Sequence, residues 1–170
     1  MDKRIEEIIK ECKRQQQSCN YTATALYCWY KEVRVWRVLF IVAPIVAGSV
    51  AGAKILLKNP DYDMVVAVAA LLAGLFPAIF KALDLDVSLK SILDSAKLFE
   101  VLRDRFGQTA MIGAHGKRED LEDEFEALMD RMDDARKSSP AIPERHFKKA
   151  QEKIKRGDYT YDEDSGAKAN

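Results

Sequence analysis

The sequence predicts an all-α fold: a two-transmembrane helical hairpin continued into a cytosolic helical bundle. Three observations predict it. Residues 38–53 and 64–80 are apolar runs without a single charge, separated by one short polar loop. The segments on either side carry apolar residues at helical spacing among many charges. Lysines and arginines gather where these segments meet the apolar runs, and the loop between the runs has few.

Each run approaches the ~20 residues that cross a hydrocarbon core. The first reaches that length if Lys54 snorkels and Ile55, Leu56 and Leu57 are counted. A hairpin buried in a soluble bundle is the alternative, but such helices carry a polar face, and here only Ser49 is polar. The averages conceal the runs: 32% charged residues, a formal net charge of +0 and a mean hydropathy of -0.26 describe the ends. A chain of 170 residues has room for one hairpin and a modest helical part, and none for a large separate catalytic domain. Its start, MDKRIEEIIKECKR, lacks the apolar core of a signal peptide, so the runs are expected to be retained anchors.

Taken in order, residues 1–37 form an N-terminal cytosolic helix, free of Pro and Gly, with Ile5, Ile8, Ile9 and Cys12 at helical spacing, and it is expected to run straight into the first span. The hairpin occupies 38–80, with Asn59-Pro60 as the stop signal in its turn, 58–63. Cytosolic helices fill 81–156. The first carries Val87, Ile92, Leu93, Phe99, Val101, Leu102 and Phe106 and is expected to end near Gly107. After the GAHGK loop at 113–117, an acidic helix over about 119–134 places Leu121, Phe125, Leu128 and Met132 on one stripe. That stripe is expected to bury against the preceding helix around Leu98, Leu102 and Phe106, or against a neighbouring subunit, with the carboxylates outward. Pro140 and Pro143 break the chain, a basic helix covers about 144–156, and 157–170 is a polar, disordered tail.

Orientation follows from the flanks. Lys31, Arg34 and Arg37 precede the first span and Lys81, Lys90, Lys97, Arg103 and Arg105 follow the second, which puts both termini in the cytoplasm. Trp29, Tyr30 and Trp36 then lie at or below the inner interface and Tyr62 marks the outer one. In the spans, Gly48 and Gly52 form a G-x-x-x-G pair, Ala70 and Gly74 repeat the interval, and Pro44 and Pro77 interrupt the apolar runs. Small residues let backbones approach, either within one hairpin or between subunits. The absence of Asp, Glu and His from both runs argues against a proton relay, whereas a hydrophobic constriction gated by dewetting fits.

Just before the first span, Trp29, Val33, Trp36 and Phe40 share a stripe, and Tyr27, Tyr30, Lys31, Arg34 and Arg37 cluster beside it. Cations interleaved with aromatic rings can neutralise phosphates and stack bases; an aromatic belt with positive-inside charges has the same composition. Tyr30, Lys31, Arg34 and Arg37 are therefore the candidate phosphate ligands. No active site is visible. His115 and His146 stand outside any H-E-x-x-H or H-x-E pattern, GAHGK lacks P-loop spacing, and no cofactor or metal is expected. Cys12, Cys19 and Cys28 have no zinc-site spacing and are expected to be small core residues in a reducing compartment.

The helix CNYTATALYCWYKEVRVWR, the hairpin over 38–57 and 64–80, and the continuation DLDVSLKSILDSAKLFEVLRDRFG together resemble the SLATT proteins, two-transmembrane effectors of bacterial nucleotide-signalling and antiphage systems. The resemblance covers about residues 10–135. It implies a non-enzymatic, homo-oligomeric pore in the bacterial inner membrane, in contact with membrane lipid and assembled as a tetramer. Opening would depolarise the cell during abortive infection, under control of a nucleotide or oligonucleotide made by a partner nucleotidyltransferase. Its helix-packing and pore positions would be Pro44, Gly48, Ser49, Gly52, Ala70, Gly74 and Pro77. A phage holin-like permeabiliser and a membrane-anchored adaptor that recruits a protein are the alternatives.

Overall fold

A computed structural model of the chain describes residues 3–57, 63–82, 85–113 and 118–158, with backbone alone at 50, 51 and 53–57, at 63, 65, 66, 69, 72, 77, 80 and 81, and at 85–87. Five helices follow in chain order: α1 (Lys3–Leu57), α2 (Asp63–Ala82), α3 (Leu85–Ile112), α4 (Arg118–Ser138) and α5 (Glu144–Arg156). No strand occurs among the described residues, so the chain is all-α. The expected turn at 58–62, the loop at 114–117 and the tail from 159 onward lie outside the described residues.

The chain divides into two compact units, one of Met1–Tyr30 with Ser91–Asn170 and the other of Lys31–Lys90. In the first, α1 contributes the buried stripe Ile8, Cys12, Cys19, Ala23 and Leu26, α3 contributes Ile92, Phe99, Leu102, Phe106 and Ala110, and α4 contributes Leu121, Leu128, Met132 and Ala135. Each set follows the three- and four-residue steps of one helical face. Burying a side chain of this size is worth roughly 1.5–3 kcal/mol, which is why these faces turn inward. Contacts across the core converge on α1. The Cys19 thiol donates to the Met132 sulfur of α4 at 3.4 Å, and the Tyr27 hydroxyl donates to the Glu100 carboxylate of α3 at 2.7 Å. On α5, the His146 ring stacks on Trp29 with centroids 6.2 Å apart.

Local chemistry sets the ends of α5. It starts after Pro143, whose extended backbone (φ -63°, ψ 137°) leads into the helix, and stops at Gly157, which takes the left-handed conformation (φ 81°). The Gly157 N–H then bonds to the Ile154 carbonyl at 3.1 Å and the Asp158 N–H to the Lys153 carbonyl at 3.2 Å, satisfying the last turn.

One sequence expectation is corrected in this unit. α3 does not end near Gly107 but continues to Ile112. A Cβ at 107 would lie 2.6 Å from the Gln16 amide nitrogen of α1, the end of a flexible side chain that can move aside. The α4 stripe buries Leu121, Leu128 and Met132, with Phe125 half-buried, and on α3 Leu102 and Phe106 are buried while Leu98 is exposed. Leu121 lies against Gly113 after α3, and polar cross-helix contacts run to α1, where the Arg4 guanidinium donates to Glu122 at 3.1 Å and Arg136 donates to the Gln15 side chain at 3.5 Å.

The second unit is built differently. Two of its helical segments, the C-terminal part of α1 and α2, meet through Phe40 and Phe76, whose rings lie 5.6 Å apart, with Trp36 a further 6.3 Å from Phe40. Large apolar side chains point to solvent along both: Val35, Leu39, Val42, Ile45 and Val46 on α1, and Met64, Val68, Leu71, Leu75 and Ile79 on α2. Among the described residues no helix is long and apolar enough to cross a membrane. The apolar runs of the sequence include positions whose side chains lie outside the description, 50, 51, 53, 65 and 66 among them.

Candidate functional site

Lys31, Arg34 and Arg37 succeed one another at three-residue steps on α1 and so lie along one face. Lys31 and Arg34 are exposed, whereas Arg37 is half-buried and its Nε is shielded from solvent. Tyr30 is half-buried and is the last α1 residue of the first unit. Tyr27 does not join the patch. Its hydroxyl is committed to Glu100, and burial together with that hydrogen bond pushes the phenol up to about 12. Trp29 likewise closes the core of the first unit against His146, so of the aromatic stripe only Val33, Trp36 and Phe40 belong with the cations in the second. Two exposed cations one turn apart suit a phosphate group, free or in a lipid headgroup.

Among the described residues the glycines of the two apolar runs have no tight contact. A Cβ placed on Gly48, Gly52 or Gly74 would meet nothing within 4 Å, and Ala70 is exposed. The G-x-x-x-G pair therefore does not draw α1 and α2 together, and it remains open to another copy. Ser49 donates its hydroxyl to the Ile45 carbonyl at 2.8 Å, which satisfies it inside an apolar surface. Pro44 lies within the continuous α1. Pro77 lies within α2, and its side chain is outside the description.

Among the described residues no three His, Cys, Asp or Glu side chains stand where they could hold a metal ion. His146 is buried, with its Nε2 accepting from the Arg145 guanidinium at 3.2 Å. Cys12 and Cys19 are buried free thiols pushed up to about 11 by desolvation, the opposite of an activated nucleophile. Cys28 is half-buried.

A groove of about 530 Å³ between α1 and α4 escaped the sequence analysis, because it depends on which helix covers the acidic stripe. Glu7, Glu11, Glu122 and Glu126 rim it over Ile8 and Phe125. Arg4 bridges its rim through Glu122 at 3.1 Å and Glu7 at 3.8 Å. Glu11 is held below the usual carboxylate range, chiefly by the hydrogen bonds from Arg14.

No family model matches the chain, and neither a curated protein nor a solved structure matches it.

Proposed function

We propose that the protein is a non-enzymatic, homo-oligomeric membrane pore whose Lys31–Lys90 unit inserts as a hairpin, and that a nucleotide-type signal gates it as an effector of bacterial antiphage defence. One observation carries the membrane part. Of the seventeen large apolar side chains exposed among the described residues, thirteen fall within Lys31–Lys90. A water-soluble surface rarely gathers that much contiguous apolar area, whereas hydrocarbon covers it without cost. The absence of charge from 38–53 and 64–80 supports the same placement, with both termini cytoplasmic.

The pore and its control rest on the resemblance to SLATT proteins and on the chemistry of the flanking patch. Glycine faces left open within one chain suit contacts between copies, a tetramer in this reading. Lys31, Arg34 and Arg37 lie on the same helix as Gly48 and Gly52, so an anion held at the patch can bias the pore through α1 if it binds the open and closed states unequally. The resemblance adds a nucleotidyltransferase as the source of that anion. Ion flux through the purified protein in liposomes, with and without the product of the neighbouring nucleotidyltransferase, tests the reading. Flux that changes with the product is expected, and Arg34→Glu with Arg37→Glu should remove the response. No flux in either condition would discard the pore and leave a membrane-anchored adaptor.

A further inference from the structure

Leu98, Val101, Arg105, Gln108 and Ile112 of α3 succeed one another at steps of three, four, three and four residues, and all five are exposed. Leu98 is 40%, Val101 56% and Ile112 70% exposed, and the adjoining Met111 is 68% exposed. Among the described residues these four are the only large apolar side chains that the Met1–Tyr30 and Ser91–Asn170 unit leaves in solvent; its α1, α4 and α5 segments leave none. The stripe is not spare core surface, because Ile92, Phe99, Leu102 and Phe106 on another face of α3 already fill the core. A mean step of 3.5 residues is the seam of a coiled coil, so the partner that fits is a helix with the same repeat.

We infer that this stripe is a subunit interface, packed in parallel against the same stripe of a second copy. In that register each Arg105 lies beside Asp104 as well as Arg105 of the second copy, so the carboxylate offsets the like charge. With Leu98, Arg105 and Ile112 at the first heptad position and Val101 and Gln108 at the fourth, Arg105 enters a hole bounded by Val101, Asp104, Arg105 and Gln108 of the second copy. Asp104 is 55% exposed, with Arg103 at 2.7 Å on its own chain, and keeps a lone pair for an incoming guanidinium. Ile112 enters beside Met111 and Gln108 of the second copy, so the two most exposed apolar side chains of the stripe cover each other. Arg105, Gln108 and Ile112 of the stripe also line a groove of about 260 Å³ between α3 and α4, with Leu121 and the acidic Asp120 and Glu124 on its α4 side. The parallel direction rests on the proposed function, since copies anchored through one hairpin share a polarity; the self-association itself does not.

Cysteine crosslinking of the full chain, in membranes and in detergent, tests the interface. In a Cys28→Ser background, Val101→Cys places a thiol in a layer where parallel helices bring like positions together, and mild oxidation should give a linked dimer as the main product. Asp123→Cys, exposed on α4, is the control and should stay monomeric on the gel. Arg105→Glu sets like charges together and should lower the Val101→Cys dimer yield about tenfold; exchanging the pair, Asp104→Arg with Arg105→Asp, should restore it. If Val101→Cys crosslinks no better than Asp123→Cys while the wild type sediments as an oligomer, the seam is overturned and the homo-oligomer stands. A wild type that sediments as a monomer, with Val101→Cys unlinked, overturns both.

Discussion

In the unit formed by Met1–Tyr30 and Ser91–Asn170, Leu26, Phe106, Leu128 and Met132 are closed off from solvent, whereas in Lys31–Lys90, Val42, Ile45, Met64 and Leu71 stand exposed on their helices. Both units are helical and rich in apolar side chains, but they satisfy them differently. The first buries one apolar face of α1, α3 and α4 in a shared core and leaves most of its charges outside. The second has no charged face to present along 38–53 or 64–80. Its α1 and α2 segments touch through Phe40 and Phe76 and leave most of their apolar surface for something other than water. One unit makes its own apolar interior, and under the proposed function the other takes its interior from lipid or from further copies.

Substitutions that act oppositely in the two units sharpen that contrast. Phe106→Asp puts an unpaired charge into a fully buried position and should cost more than ~4 kcal/mol, seen as loss of the cooperative helical melt by circular dichroism. Leu71→Asp, at a position 64% exposed, should leave that melt unchanged in detergent and yet empty the membrane fraction, because an acidic residue near the middle of a span costs ~3 kcal/mol. Equal melting losses in both variants would erase the distinction between the units. Met132→Ala removes a buried side chain and its contact with Cys19 and should cost ~2–5 kcal/mol by denaturant unfolding. A Cβ at Gly48 would meet no atom within 4 Å among the described residues, so Gly48→Leu should leave the melt intact and weaken assembly on native gels.

The smallest expected effect is at Tyr27. Tyr27→Phe deletes the hydrogen bond to Glu100 and should cost ~1 kcal/mol near neutral pH. Because the folded chain holds the phenol up to about 12, against 10.0 for an ordinary tyrosine, its neutral form is favoured by folding. The contribution is complete below pH 10 and is lost as the pH rises from 10 to about 12, where the unfolded chain has ionised and the folded chain follows. Urea midpoints of wild type and Tyr27→Phe should therefore converge over that interval.

Much of the fold was legible because it is written in short-range chemistry. Pro140, Pro143 and the glycine at 157 bracket α5, and a stretch without Pro or Gly before the first apolar run continues unbroken in α1. What escaped depends on partners. The α4 stripe was visible, but only the folded chain shows that Gln15, Cys19 and Arg4 of α1 meet it. Helical arithmetic put Tyr27 with the cations because it assigns faces, not their cover, and Glu100 comes from 73 residues away. α3 carries two apolar faces whose residues interleave, so Leu98 and Val101 could not be separated from Leu102 and Phe106 by spacing alone. Gly107 resembled a helix end because a glycine inside a helix costs ~1 kcal/mol, yet α3 runs through it to Ile112.

The central claim is that Lys31–Lys90 crosses the membrane as a hairpin while the other unit stays on the cytoplasmic side. Single cysteines at Asn59, between α1 and α2, and at Gln108, exposed on α3, test it most directly in intact cells with a membrane-impermeant maleimide. Labelling of Asn59→Cys from the periplasm, and of Gln108→Cys only after the cells are opened, is the predicted result. Labelling of both only from the cytoplasmic side would contradict it.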